Sequence, residues 1–292
     1  MSRLSRFLFV ISITLGLAAC APAPSARAPV VLRYASVYPP THPLSQADIA
    51  WITHVEARAQ GRLKIKSYWG GTLISSEHAV LELAHGVADI ALVAPIYSRA
   101  GMKAIKTQAG FYRGARTPAE QVQVYKCLAQ AFPVLTEEMA GVRVLAVQGG
   151  NLLNVLTRDR AVARIEDLRG LRLRTPSEIA PLLRQVGADP VTMPMAEVYS
   201  ALSKGRVDGV VAPAETLRSL HFAEVARYLN LLVAPRGAYP ARAISHKAWA
   251  GLPPDLQTIL RDAQPYWEAQ IDAKVTRAEA VGLEYARTHG QI

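Results

Sequence analysis

Residues 167–213 read DLRGLRLRTPSEIAPLLRQVGADPVTMPMAEVYSALSKGRVDGVVAP, and this stretch limits the fold more than any other. Short apolar runs at 171–174, 190–193 and 209–212 alternate with amphipathic helical patterns over 177–186 and 196–204, each break marked by Gly or Pro. That order is a βαβαβ unit and predicts parallel strands. In open α/β sheets, ligands bind in the crevice beyond the carboxyl ends of the strands, so the last residue of the first strand holds a privileged position. Arg174 occupies it, and Pro176 biases Thr175 toward extended backbone, which leaves the guanidinium at the strand's mouth. Arg172 shares the strand face by period two but lies nearer the strand's start, where solvation is expected.

Half of the 292 residues are apolar and 19% are charged, the balance of a soluble globular chain with room for two domains. The net charge of +10 would suit an anionic partner, but Lys and Arg are scattered and no aromatic-interleaved basic patch occurs, so no nucleic-acid partner is expected. At the N-terminus Arg3 and Arg6 precede an apolar run over 7–17, which reads as an export signal too short to span a bilayer. Leu17-Ala18-Ala19-Cys20 follows and resembles a bacterial lipobox, in which the cysteine is diacylated and becomes the new N-terminus. Residues 1–20 are then signal peptide and lipobox, and 21–29, rich in Pro, Ala and Ser, a tether. An ordinary secretory signal that happens to contain Cys is the competing reading. With Cys20 lipidated only Cys127 remains, so neither an intrachain disulfide nor a cysteine-based metal site is expected.

The mature chain opens on an apolar run over 30–37, then the rigid loop Tyr38-Pro39-Pro40-Thr41-His42-Pro43 and a helical pattern over 45–59. As the first strand-to-helix crossing, this loop should face a cleft and bring Tyr38 to it; His42 either touches the ligand or caps the helix. A strand at 63–69, a helix at 75–85 and a strand at 89–94 continue the alternation, which argues an α/β fold with doubly wound, mostly parallel sheets. Pro133 should kink or divide the helical stretch 118–139. Strands are expected at 142–147 and 152–157, a turn of helix at 165–168, a helix near 217–228 and a strand around 241–245. Residues 255–288 have helical periodicity, opened by Pro253-Pro254 and kinked or split near Pro265. At 1.5 Å per residue such a helix reaches about 50 Å, long enough to brace two domains. No internal repeat stands out.

The run Glu166-Asp167-Leu168-Arg169-Gly170-Leu171, then Leu173-Arg174-Thr175-Pro176, Gly187-Ala188, Met193-Pro194, Glu197-Val198-Tyr199-Ser200-Ala201-Leu202 and Gly205 through Asp208-Gly209, closely resembles the signature of DctP-type substrate-binding proteins of TRAP transporters. The resemblance extends more weakly from Leu32 to about Gln291, through Gly61-Arg62-Leu63, Gly86-Val87-Ala88-Asp89-Ile90 and Leu252-Pro253-Pro254-Asp255-Leu256-Gln257. It implies a two-domain periplasmic clamp that closes on an organic acid and delivers it to TRAP-type membrane permease subunits. By the family's layout, residues 30–151 plus 238–277 form one domain and 152–237 plus 278–292 the other. The family's carboxylate-binding arginine maps onto Arg174. A guanidinium offers a planar fork for both carboxylate oxygens, and a cleft that excludes water strengthens the pair. A structural salt bridge to Asp or Glu is the alternative role.

Two departures shape the expected pocket. Many members carry a second arginine where this chain has Leu153 or Asn154, and an asparagine where it has Ala212. One anion anchor with apolar neighbours such as Ala212 and Met195 suits a monocarboxylate with a hydrophobic or aromatic body. Asp208 before Gly209 reads as a turn residue, Glu197 as a capping or interdomain hydrogen-bond partner, and Met193 and Met195 as packing. Tyr199 could line cleft or core. No cofactor or metal is expected. A periplasmic binding protein of another importer class remains a competing reading, as does a periplasmic enzyme. Against the enzyme, the chain lacks a Gly-x-Ser-x-Gly elbow, a His-Glu-x-x-His motif, a phosphate loop and a dinucleotide fingerprint.

Overall fold

The computed structural model describes residues 28–110, 114–234 and 236–291; the lipobox with Cys20 lies outside them. Ten strands follow one another: β1 (Val30–Ala35), β2 (Leu63–Tyr68), β3 (Ile90–Leu92), β4 (Val142–Gln148), β5 (Leu153–Thr157), β6 (Arg172–Arg174), β7 (Asp189–Val191), β8 (Gly209–Ala212), β9 (Tyr228–Ala234) and β10 (Tyr239–Ser245). They form two five-stranded sheets, β2-β1-β3-β10-β4 and β7-β6-β8-β5-β9. In the first, β1 pairs parallel with β2 and β3, and β10 pairs antiparallel with β3 and β4. In the second, β6 pairs parallel with β7 and β8, and β5 antiparallel with β8 and β9. Each sheet thus has four strands running one way and a single reversed strand, second from an edge. The mostly parallel expectation is met, with β10 and β5 as the exceptions.

The matching strand orders carry a matching side-chain device. Arg33 on β1 donates to Asp89 just before β3 (Nε to Oδ2 3.0 Å), and its guanidinium also caps the carbonyls of Gly86 and Val87. Arg172 on β6 donates to Asp208 just before β8 (Nε to Oδ2 3.1 Å) and to the Gly205 carbonyl. Both aspartates also accept the backbone N–H of their arginine. Gly86-Val87-Ala88-Asp89 and Gly205-Arg206-Val207-Asp208 are therefore the same turn in two lobes, so the chain does contain an internal structural repeat. Only the spacing, the Arg/Asp pair and the left-handed glycine that opens each turn, Gly86 and Gly205, survive of it in the sequence, which explains why it does not stand out there. Arg172 is not simply solvated, and Asp208 is a turn residue that is also ion-paired; the guanidinium beside it holds its carboxyl below the usual range.

Local chemistry sets most element ends. His42 Nδ1 accepts from Leu44 N at the start of helix Pro43–Ala59, so His42 is a cap. Thr117 and Glu120 form a reciprocal capping box on helix Pro118–Ala131, and Pro133 divides it from the short helix Val134–Glu137. Pro265 likewise separates helix Pro254–Asp262 from the terminal helix Gln264–Thr288.

One expected helix is wrong. Residues 217–228 hold only the short turns Thr216–Ser219 and Phe222–Glu224, and 228–234 form strand β9, which the periodicity does not reveal. β9 exists because β5 offers it an open edge: Asn230 Nδ2 donates to the Val155 carbonyl, and Asn230 Oδ1 accepts from Val162 N. The terminal helix serves both lobes. Trp267, Ile271 and Val275 are buried in the core of the first sheet, and Ala286 in that of the second. At Gly282 an added Cβ would stand 2.6 Å from the Ala214 carbonyl carbon, so the helix and the β8 loop are in contact without room for a side chain.

Candidate functional site

The carboxyl ends of the parallel strands in both sheets converge on one small cavity of about 50 Å³. From the first sheet, the loop after β1 supplies Tyr38 and His42, the turn after β3 supplies Tyr97, and the end of β4 supplies Gln148 through Asn151. From the second sheet come Met195 after β7 and Pro213, Glu215 and Thr216 after β8. Arg236, on the segment returning from β9 to β10, and Tyr239 at the start of β10 complete the wall. This is the crevice that the topology of an open α/β sheet predicts, met from two sides.

Arg174 ends β6 beside this cavity but is not among the residues lining it: it is fully buried, 0% exposed, and touches the wall through Tyr97. Its Nε and Nη2 donate to the Met193 carbonyl at 3.0 and 2.8 Å, and Nη2 also donates to the Tyr97 hydroxyl at 3.0 Å. The Tyr97 ring lies 5.5 Å from the guanidinium carbon. Arg174 forms no ion pair among the described residues, and its Nη1 has no hydrogen-bond partner, nor does the adjacent buried Thr175 Oγ1. The other fully buried arginine behaves differently. Arg242 pairs with Asp48 (Nε to Oδ1 2.7 Å) and Gln148 (Nη1 to Oε1 2.7 Å), while Asp48 also accepts from Tyr34 and Trp267. Arg242 is thus a structural ion pair, whereas Arg174 is a cation with a donor to spare.

The remaining expected site residues divide. Tyr38 lines the cavity and stacks on His42, ring centroids 4.0 Å apart, and burial pushes its hydroxyl well above the ordinary tyrosine range. Met195 lines the wall while packing on the core of the second sheet. Asn154 and Ala212 are neighbours across β5 and β8 and lie outside the cavity wall. Asn154 Oδ1 accepts from Val233 N, and Ala212 is sealed in the second core. Ala212 therefore contributes no surface to the wall, which mixes apolar Leu44, Met195, Leu220 and Val275 with tyrosine hydroxyls, amides and the charged groups of Glu215 and Arg236. Glu197 is exposed, and Tyr199 faces neither cleft nor core, its hydroxyl donating to Glu224 at the surface.

Sequence reasoning missed Tyr97, Glu215 and Arg236. Each sits two to five residues past the end of a strand, so strand ends on both lobes, rather than one lobe's motif, are the signal that finds them. Glu215 is buried, and burial pushes its carboxyl from 4.5 up to about 7, with Glu279 adding to the rise and Ser219 and Arg236 opposing it. Burial beside Arg242 holds the His42 imidazole down to about 3, so it stays neutral. No group of three or more potential metal ligands occurs among the described residues, and no helix there is long and apolar enough to cross a membrane.

Comparison with known proteins gives these features a context. Residues 34–281 match the family described as DctP, bacterial extracellular solute-binding protein, family 7. A solute-binding protein of Albidiferax ferrireducens is 28% identical over 184 residues, covering 60% of this chain and 52% of the relative. The 2,3-diketo-L-gulonate-binding periplasmic protein YiaO of Escherichia coli is 34% identical over 128 residues, 42% of this chain and 38% of that protein. The chain therefore spans about half or less of the length of these curated relatives. Among solved structures, a TRAP periplasmic solute-binding protein from Bordetella bronchiseptica with bound (R)- and (S)-mandelate superposes with a TM-score of 0.81, at 22% identity, over 89% of this chain and 83% of that one. At that identity the likeness is one of fold.

Proposed function

Because this chain belongs to the DctP family of bacterial extracellular solute-binding proteins, we propose that it captures an organic acid in the crevice between its two lobes and hands it to TRAP-type membrane permease subunits. The carrying observation is Arg174, a wholly buried guanidinium that has, among the described residues, no carboxylate partner and one unpaired nitrogen. A buried, uncompensated charge is costly, so such a group is retained where something else neutralises it. A ligand carboxylate does so, taking Nη1 while the Met193 carbonyl and Tyr97 hydroxyl hold the fork in place. Thr175 Oγ1, adjacent and also unpaired, supplies a further contact, and Tyr38 and Met195 shape the wall. Asn154 and Ala212 act behind it, by fixing β5 and β8.

The two lobes are residues 30–151 plus 238–277 and 152–237 plus 278–292. Three crossings join them: the stretch after β4, the return from β9 to β10, and the terminal helix. Closure about these crossings brings Tyr97 of one lobe onto Arg174 of the other. At the N-terminus, lipidation of Cys20 tethers the protein to a membrane facing the periplasm. Two acyl chains hold where one is marginal, so wild-type protein should resist salt extraction and Cys20→Ser should be released without losing affinity; wild type that washes off with salt would overturn the anchor.

The test of the binding function is direct. Denaturing protein purified from its native host should release a small carboxylic acid detectable by mass spectrometry, and the same acid should return to the refolded protein unchanged and compact it in small-angle scattering. A released compound without a carboxylate, or an unchanged radius of gyration at saturation, would defeat the proposal.

A further inference from the structure

Arg236 and Glu215 line the same cavity from different segments, Arg236 on the return from β9 to β10 and Glu215 in the turn after β8. Arg236 makes no hydrogen bond and no ion pair among the described residues, although it is half-buried and shares that small cavity with a carboxylate. The two side chains do not reach each other within the 4.0 Å that defines an ion pair. Glu215 is 8% exposed. One of its oxygens accepts from Ser219 Oγ, and the other has no partner among the described residues. An unused donor and an unused acceptor therefore stand on the wall of one cavity.

The position of Arg236 is built. An added Cβ at Gly150 would stand 2.8 Å from Arg236 Nη1 and 2.9 Å from Cζ, so the guanidinium lies against the bare Gly150 backbone. Gln121 clamps that backbone from both sides, its Nε2 donating to the Gly150 carbonyl and its Oε1 accepting from Gly150 N, each at 2.9 Å. The neighbouring Gly149 is equally constrained, since a Cβ there would stand 2.7 Å from Pro118 Cα. The glycine pair thus leaves a fixed platform on which the Arg236 guanidinium rests.

We propose that Arg236 and Glu215 together read a hydroxyl group on the bound acid, so that the site selects hydroxycarboxylates over the corresponding deoxy acids. The proposal rests on Arg174 holding the carboxylate. A hydroxyl accepts from the guanidinium while donating to the carboxylate of Glu215, and it fits equally if Glu215 holds a proton, because it can then accept from both. A second ligand carboxylate would meet the charge of ionised Glu215, and an apolar group would leave both side chains unpaired. Sites built to hydrogen-bond a substrate hydroxyl reject the analogue lacking it, because the buried polar groups are then stranded.

The probes are two matched pairs, mandelate with phenylacetate and lactate with propionate, titrated calorimetrically into wild type, Arg236→Gln, Glu215→Gln, Gly150→Ala and Arg174→Met. The expected result is a hydroxy-acid preference of about tenfold or more in wild type. Arg236→Gln and Glu215→Gln should each lose more affinity for the hydroxy acid than for its deoxy partner, and shrink the ratio toward one. Gly150→Ala keeps both charged groups but pushes the guanidinium off its platform, so it should shrink the ratio as well. If wild type binds both members of each pair alike, or if the ratio survives all three substitutions while Arg174→Met weakens every acid, this pairing is wrong and the carboxylate anchor stands. If none of the four acids binds wild type, or Arg174→Met leaves their affinities intact, the anchor fails and the pairing with it.

Discussion

The Tyr97 hydroxyl, carried by the first sheet, accepts a 3.0 Å hydrogen bond from Arg174 Nη2, carried by the second. It is a direct polar contact between the lobes at the mouth of β6, and it ties closure to the group proposed to hold the ligand. Tyr97→Phe removes the acceptor and leaves the Met193 contacts in place. A hydrogen bond to a charged group contributes about 1.5–3 kcal/mol, so the ligand-free variant should populate an open form more than wild type does. Small-angle scattering of the two ligand-free proteins checks this, and superimposable curves would remove Tyr97 from the closing contact.

Arg174 itself gives the sharpest contrast between ligand anchor and structural ion pair. Breaking a buried charge pair costs roughly 3–5 kcal/mol, so Arg174→Met should weaken carboxylate binding on the order of a hundredfold or more. Arg174→Lys keeps the charge but loses the fork and should recover only part. Since no acid among the described residues is stranded by either change, and losing the Met193 and Tyr97 contacts is offset by removing a buried charge, the melting temperature of the ligand-free protein should fall far less than in Arg242→Met, which would strand Asp48. A large loss of ligand-free stability in Arg174→Met, with affinity preserved, would reverse the assignment.

The pH profile of stability should show two opposed titrations. Folded Glu215 keeps its proton up to about 7 against 4.5 for the ordinary carboxyl, so its contribution is complete below 4.5 and is lost as pH rises toward 7. Glu279, also pushed up by burial, acts in the same direction. Folded His42 refuses a proton until about 3 against 6.5 ordinarily, so its contribution is complete above 6.5 and is lost as pH falls toward 3. Each is worth on the order of 3–5 kcal/mol across its window. Where the windows overlap, from 4.5 to 6.5, the slopes oppose each other. Glu215→Gln removes one of them, so its stability should climb with pH relative to wild type over that range. Urea unfolding at several pH values measures the difference, and parallel profiles would contradict the placement of Glu215.

Gly282 tests how the terminal helix joins the second lobe. Gly282→Ala would place a methyl against the Ala214–Glu215 backbone, 2.8 Å from Glu215 Cα, and backbone cannot rotate away as a side chain can. Overpacking of this kind costs about 1–3 kcal/mol or more. Gly251→Ala is the control, because its nearest neighbour stands at 3.5 Å, and it should change stability by less than about 0.5 kcal/mol. Equal denaturation midpoints for the two variants would mean that the helix seats differently on the β8 loop.

The sequence by itself determined the βαβαβ order, the breaks at Pro133 and Pro265, the family, and the place of Arg174 at the end of β6, because each depends on local periodicity, on proline geometry or on contiguous motif residues. It did not determine β9, whose pairing energy comes from β5 some seventy residues away. Nor did it determine the repeat, since the turns at Asp89 and Asp208 share in sequence little beyond a glycine, the aspartate and the arginine each aspartate holds. Ala212 and Met195 looked alike as apolar residues near strand ends; only packing placed one in the second core and the other on the cavity wall. Arg174 and Arg242 are likewise the same residue type on strands, and the difference between them lies in whether Asp48, nearly two hundred residues from Arg242, reaches the guanidinium. Which charges are paired is decided by contacts between distant segments, and those contacts come into being only when the two sheets turn their carboxyl ends toward one crevice.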